Sequence, residues 1–145
     1  MKRRKNQLSK FPPVKRKLGD YFLAGFNVVV FIESNRGGGD FSTGSNTLGR
    51  PQITIGMNQS DWWGVVQVAL HESLEFSMAL KDLLFRATNR YTNDSADRLF
   101  VFTHSDFTQC VAEAAEFFCA IEDDLKAQWM IERKRVHKNE SSLHL

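Results

Sequence analysis

The chain is short of several things at once, and each shortage narrows what it can be. No apolar run in the 145 residues approaches the roughly 18 that a membrane-spanning helix requires, so no span is expected. Only two cysteines occur, Cys110 and Cys119. On one helix they would stand about 13 Å apart, beyond disulfide reach, which predicts buried thiols in a reducing compartment such as a cytoplasm. The first 19 residues contain no Asp or Glu. Their basic start, Met1-Lys2-Arg3-Arg4-Lys5, could pass for the charged part of a signal peptide. Asn6 to Lys17 nevertheless places Lys, Arg and two prolines where an apolar stretch would be needed, so secretion is not expected. There is no internal repeat. Gly37-Gly38-Gly39 lacks the Gly-Lys-Ser/Thr ending of a phosphate-cradling loop, so it is expected to form a flexible hairpin tip.

What is present describes one globular domain. Hydrophobic residues make up 42% and charged residues 25%, and twelve Phe with three Trp supply most of the core volume. The net charge of +2 conceals a division. Lys2, Arg3, Arg4, Lys5, Lys10, Lys15, Arg16 and Lys17 precede any acid, whereas Glu113 to Asp124 is strongly acidic. Such an arm can neutralise nucleic-acid phosphates, dock on an acidic protein surface, or simply aid solubility. The expected organisation is a basic arm over 1–19, a folded domain over 20–128, and a charged helix end and tail over 129–145.

Phe26 to Glu33 (FNVVVFIE) and Gln52 to Met57 (QITIGM) read as strands paired in a hairpin, with the glycine-rich segment Ser34 to Arg50 as the loop between them. Ser60 or Asp61 then caps a helix running to about Arg86, with Trp62, Val65, Val66, Ala69, Leu70, Phe76, Leu80, Leu83 and Leu84 on one broad apolar face and Val68 and Met78 opposite. That distribution predicts a helix buried nearly all round. Arg98 to Thr103 is expected as a third strand ending at His104. Ser105 or Asp106 then caps a long helix carrying Phe107, Val111, Ala114, Phe118, Ile121 and Leu125 at helical spacing. The fold class is α+β, a small mixed or antiparallel sheet of about three strands against one buried and one long helix.

The chemistry-bearing segment is His71-Glu72-Ser73-Leu74-Glu75. Burying unpaired ionisable groups costs several kcal/mol, so something must satisfy them. An imidazole and a carboxylate one helical turn apart can both reach one metal ion, while the carboxylate beside the histidine leans toward a water that the metal polarises. The rival reading is a hydrogen-bonded core network joining His71, Glu75 and Glu113.

With VVQVALHESLEFSMAL following QITIGM, and FVFTHSDFTQCVAEAAEFF further on, the sequence resembles the zincin-like metallopeptidases, in particular minimal phage-type ones with a His-Glu-x-x-Glu helix. The resemblance spans roughly Asp20 to Leu125. It implies a cytoplasmic zinc-dependent hydrolase of peptides, encoded by a phage or other mobile element and working in the host cytoplasm or with the virion. His71 would be first ligand, Glu72 general base, and Glu75 the ligand in the place of the usual second histidine. QITIGM would be the edge strand to which an extended substrate adds. His104, ending a strand and opening the last helix, is the expected third ligand. Glu113 is its competitor or a partner for a ligand imidazole, and Asp106 follows. His137 and His144 lie in the charged tail and are set aside. The alternative is a zincin-like scaffold without turnover that acts through Lys2 to Lys17 on nucleic acid.

Overall fold

The computed structural model describes residues 14–44, 49–86 and 98–142. In chain order the elements are β1 (Lys15–Leu23), β2 (Phe26–Glu33), β3 (Gly39–Ser42), β4 (Gln52–Gly56), α1 (Trp62–Leu80), β5 (Leu84–Arg86), β6 (Arg98–Phe100) and α2 (His104–Ser142). The class is α+β, as expected. The strand count is higher: a four-stranded mixed sheet in the order β1-β2-β4-β3, and a separate β5-β6 pair.

The hairpin partner of β2 is β1, not the segment QITIGM. Ala24 and Gly25 join them, both at positive φ (51° and 87°), the conformation of the two-residue turn whose twist suits antiparallel strands. β1 thus starts ahead of Asp20, and Lys15, Arg16 and Lys17 belong to a strand. β4 lies parallel to β2, Val29 opposite Gln52 and Glu33 opposite Gly56. A parallel pair needs a crossover, and the glycine-rich segment supplies one that contains β3, antiparallel to β4 with Gly39 opposite Ile55. QITIGM is therefore interior, and among the described residues β3 is the sheet edge on that side.

Period-two alternation points Val28, Val30 and Ile32 of β2 and Ile53 and Ile55 of β4 to one face, where they join Val65, Ala69 and Phe76 of α1 and Phe117, Ile121 and Leu125 of α2 in one core. Each fully buried side chain of this size contributes roughly 1.5–3 kcal/mol. Asp61 caps α1, its side chain accepting from the Gly64 amide at 2.9 Å. The helix stops at Leu80, six residues short of the expected end. Asp82 takes φ 54°, its amide bonds Ala79 O and that of Leu83 bonds Met78 O at 3.0 Å, a left-handed cap of the kind usually made by glycine. Trp62 and Trp129 meet at a tilt, ring centroids 5.9 Å apart, near one end of α1 and Lys81 bonds Glu113 near the other, so α1 and α2 run antiparallel. No helix among the described residues is long and apolar enough to cross a membrane.

Candidate active site

Val65, Ala69, Glu72 and Phe76 follow the i, i+4, i+7, i+11 spacing of one helix stripe, and all are buried against the sheet. Glu72 is the ionisable member of that stripe and is only 7% exposed. It reaches the sheet where β3 begins. A Cβ on Gly39 would lie 2.5 Å from Glu72 Cγ and 2.7 Å from the Thr54 carbonyl, so the carboxylate fits there because residue 39 has no side chain. Burial drives the Glu72 pKa above the usual carboxylate value. His71 pulls it down, Glu75 and Asp40 push it up, and Arg36 pulls it down.

Arg36 fixes the strand beside this carboxylate. Its guanidinium donates to Glu33 Oε2 at 3.2 Å, to Asp40, and to the Gly39 carbonyl at 2.9 Å. The end of β2 and the start of β3 are thereby held together next to Glu72. Gly39, Arg36 and Asp40 were not foreseen as part of the site. The signal available was the alternation Asp40-Phe41-Ser42 after the glycines, with Phe41 packing edge-on to Phe76 at 6.1 Å.

His71 and Glu75 lie off the core stripe. The expectation of a helix buried nearly all round fails along Trp63, Gln67 and His71, which are exposed at i, i+4 and i+8. The His71 side chain is 64% exposed and that of Glu75 18%, so the cost of burial applies mainly to Glu72. His71 Nε2 stands 3.5 Å from Glu75 Oε1. Two donors of a tetrahedral zinc, each about 2.0–2.1 Å from the ion, are about 3.4 Å apart, so this pair fits as two ligands of one cation. The same separation suits an ion pair when the imidazole is protonated.

The remaining candidates stand elsewhere. Glu113 is held by Lys81 Nζ, 2.8 Å from each carboxylate oxygen, with Gln109 donating to it at 3.2 Å. The network joining His71, Glu75 and Glu113 is not formed, because Glu113 is engaged at the far end of α1. His71 precedes Lys81 by ten residues, about 15 Å along the helix, and His104 lies nine residues beyond Glu113, about 13 Å further the same way. The structure does not bring His104 to the pair. Asp106 accepts from the Thr103 amide at 3.1 Å and from its hydroxyl at 2.7 Å, while that hydroxyl accepts from the Asp106 amide at 3.2 Å. This reciprocal cap opens α2 at His104, with Thr103 in the capping position expected of Ser105 or Asp106. Among the described residues no group of three or more His, Cys, Asp or Glu side chains is placed to hold a metal ion. His144, Lys2, Arg3, Arg4, Lys5, Lys10 and the whole polar connection Asn89 to Asp97 lie outside the described residues. Cys110 is buried as expected, and Cys119 is exposed.

Comparison of the chain with family models, with curated proteins and with solved structures returned no match.

Proposed function

We propose that the protein is a metal-dependent hydrolase acting on peptide, with His71 and Glu75 as metal ligands and Glu72 as general base. The observation that carries this reading is the division of roles along five residues. The pair one turn apart, an exposed imidazole and a half-buried carboxylate, has its donor atoms 3.5 Å from each other. The carboxylate between them in sequence is turned into the core stripe and loses its ordinary acidity.

A bound divalent cation such as zinc would supply Lewis acidity toward a water and a substrate carbonyl. The chain's own contribution is positional. His71 and Glu75 converge because residues four apart on a helix share a face. Glu72, desolvated against Gly39, is a stronger proton acceptor than a solvated glutamate and suits general-base work nearer neutral pH. The Arg36 clamp keeps its surroundings from shifting.

Peptide is favoured by the sheet edge. Among the described residues β3 pairs with β4 on one side only, and its other side is the edge beside Glu72 at which an extended segment can add as a further strand. This role falls to β3, the edge strand, in place of QITIGM.

The test compares wild type with Glu72→Gln. Both proteins, purified without added metal, are analysed for metal and assayed on a library of unstructured peptides. Near-stoichiometric metal in both, with cleavage only by wild type, is the expected result. Absence of metal from both, or equal cleavage by both, defeats the reading.

A further inference from the structure

The charge of the chain is divided far more sharply than its net value of +2 suggests. Residues 1–19 carry eight basic and no acidic side chains, and residues 126–145 carry five basic and two acidic ones. The segment between them has six basic against fifteen acidic residues. Excess positive charge thus sits at the two sequence ends and excess negative charge on the body.

Among the described residues, β1 and α2 bring parts of those two segments together. Arg16 of β1 pairs with Glu132 of α2, whose carboxylate is largely buried and which Arg135 also approaches at 3.5 Å. One carboxylate therefore serves two guanidinium groups. Around this junction the cations rest on rings: Lys15 Nζ is 4.6 Å from the Phe31 centroid, Lys126 Nζ 5.8 Å from that of Trp62, and the Arg133 guanidinium 5.7 Å from that of Trp129. Ring contacts hold such side chains in place without cancelling their charge. Lys134 is exposed on the same turn of α2 as Arg133 and Arg135. The exposed acids Asp123 and Asp124 mark where the basic surface stops. Trp63, 63% exposed, is the second residue of α1 and follows Trp62 of the Trp62 and Trp129 pair.

We propose that the meeting of β1 and the C-terminal half of α2 forms one cationic surface that binds a nucleic-acid strand through its phosphates, with Trp63 as a stacking face for a base. Charge complementarity names the partner class: closely spaced, incompletely neutralised cations match a regular line of phosphates. An exposed indole beside them gives any base a surface to stack on, which a purely acidic protein surface does not use. Lys2, Arg3, Arg4, Lys5 and Lys10 precede β1 in the sequence and add to the same end of the chain's charge. The inference is independent of the hydrolase reading, since it uses neither His71, Glu72 nor Glu75.

The experiment follows a fluorescently labelled single-stranded oligodeoxythymidine of about 20 nucleotides by anisotropy, over a range of sodium chloride concentrations. The proteins are full-length wild type, Lys126→Gln/Lys134→Gln, and Trp63→Ala, each checked for native circular dichroism. Removing two phosphate contacts should weaken binding roughly tenfold and flatten the slope of log K against log salt by about 1.4. Trp63→Ala should weaken binding about tenfold at unchanged slope. No binding by wild type, or an unchanged slope and affinity in the double variant, overturns the proposal. So does competition by polyglutamate or phosphatidylserine vesicles, at equal total charge, that matches or exceeds competition by unlabelled oligonucleotide.

Discussion

Gly39 and Glu72 are fitted to one another across the junction of β3 and α1. A methyl group added at residue 39 would come within 2.5 Å of Glu72 Cγ, 2.8 Å of Cδ and 2.7 Å of the Thr54 carbonyl oxygen. The first two contacts could be relieved by moving a side chain, but the third is backbone of the neighbouring strand. Gly39→Ala must therefore shift β3 off β4 or lift the strand away from α1. The expected cost is about 1–3 kcal/mol, the range for overpacking a filled site, and a drop of several degrees in Tm measured by circular dichroism. Gly38→Ala is the control: a Cβ there meets nothing within 4 Å, and Tm should change by less than about 2 °C.

The cap at the start of α2 gives a second expectation. Thr103 and Asp106 satisfy each other's amides reciprocally, and the hydrogen bonds from Thr103 hold the Asp106 carboxyl below the ordinary aspartate range. Thr103→Ala removes the hydroxyl that accepts from the Asp106 amide, at an expected cost of about 0.5–2 kcal/mol in urea unfolding at pH 7. The carboxylate favours the folded state once it is ionised, so this contribution is present above the unfolded pKa. It is lost as pH falls through the lower folded one. The gap between wild type and Thr103→Ala should accordingly narrow below about pH 4.

Tyr21 offers a spectroscopic readout of the contact between β1 and α2. Its hydroxyl donates to Asp124 Oδ2 at 2.6 Å, and burial first, then that carboxylate, raises its pKa beyond the usual tyrosine range. Ionisation would place two negative charges together, so folding disfavours it, and this part of the stability is lost as pH rises past the unfolded tyrosine value. An absorbance titration at 295 nm should leave Tyr21 un-ionised near pH 11, where an unperturbed phenol has largely titrated. Asp124→Asn should move the Tyr21 transition toward lower pH. An unmoved transition would mean that burial alone sets it.

How much of this was legible in the sequence depends on which physical signal each element carries. β2 is bounded as its β-branched and aromatic composition predicts, and the start of α1 follows from its capping aspartate. The errors arise where an unusual residue adopts a special backbone conformation. Ala24 takes a positive φ ahead of Gly25 in the β1-β2 turn, and Asp82 does so at the end of α1, so the turn lacks the asparagine that usually precedes such a glycine and the helix end lacks the glycine that usually caps it. β3 hides among glycines because the alternation Asp40-Phe41-Ser42 is only three side chains long, too short a period to stand out. At the site, the spacing of His71 and Glu75 specified their meeting correctly, since i,i+4 geometry is local. The exposure of His71 was not foreseen, because the apolar residues scattered around α1 do not say which flank a second helix leaves open. The level of His104 depends on the antiparallel offset of α1 against α2, which is tertiary and leaves no mark in spacing.

That offset yields the last prediction, which separates the candidate ligands by their distance from the pair. If His71 and Glu75 hold a divalent cation, saturating zinc should raise the Tm of wild type, and a chelator should reverse the rise, because a ligand that binds only the folded state stabilises it by mass action. His71→Ala should abolish the shift while leaving the metal-free Tm within about 2 °C of wild type, since its side chain is exposed. His104→Ala should retain the full shift, because nineteen residues' worth of helix, about 28 Å, separate it from the pair along the α1–α2 axis. Glu113→Gln should behave oppositely to His71→Ala. It weakens the ion pair with half-buried Lys81 and lowers the metal-free Tm, yet it leaves the zinc-dependent increment intact. A zinc shift that survives His71→Ala and disappears with His104→Ala would instead place the cation at the start of α2 and free the α1 pair of any role in holding it.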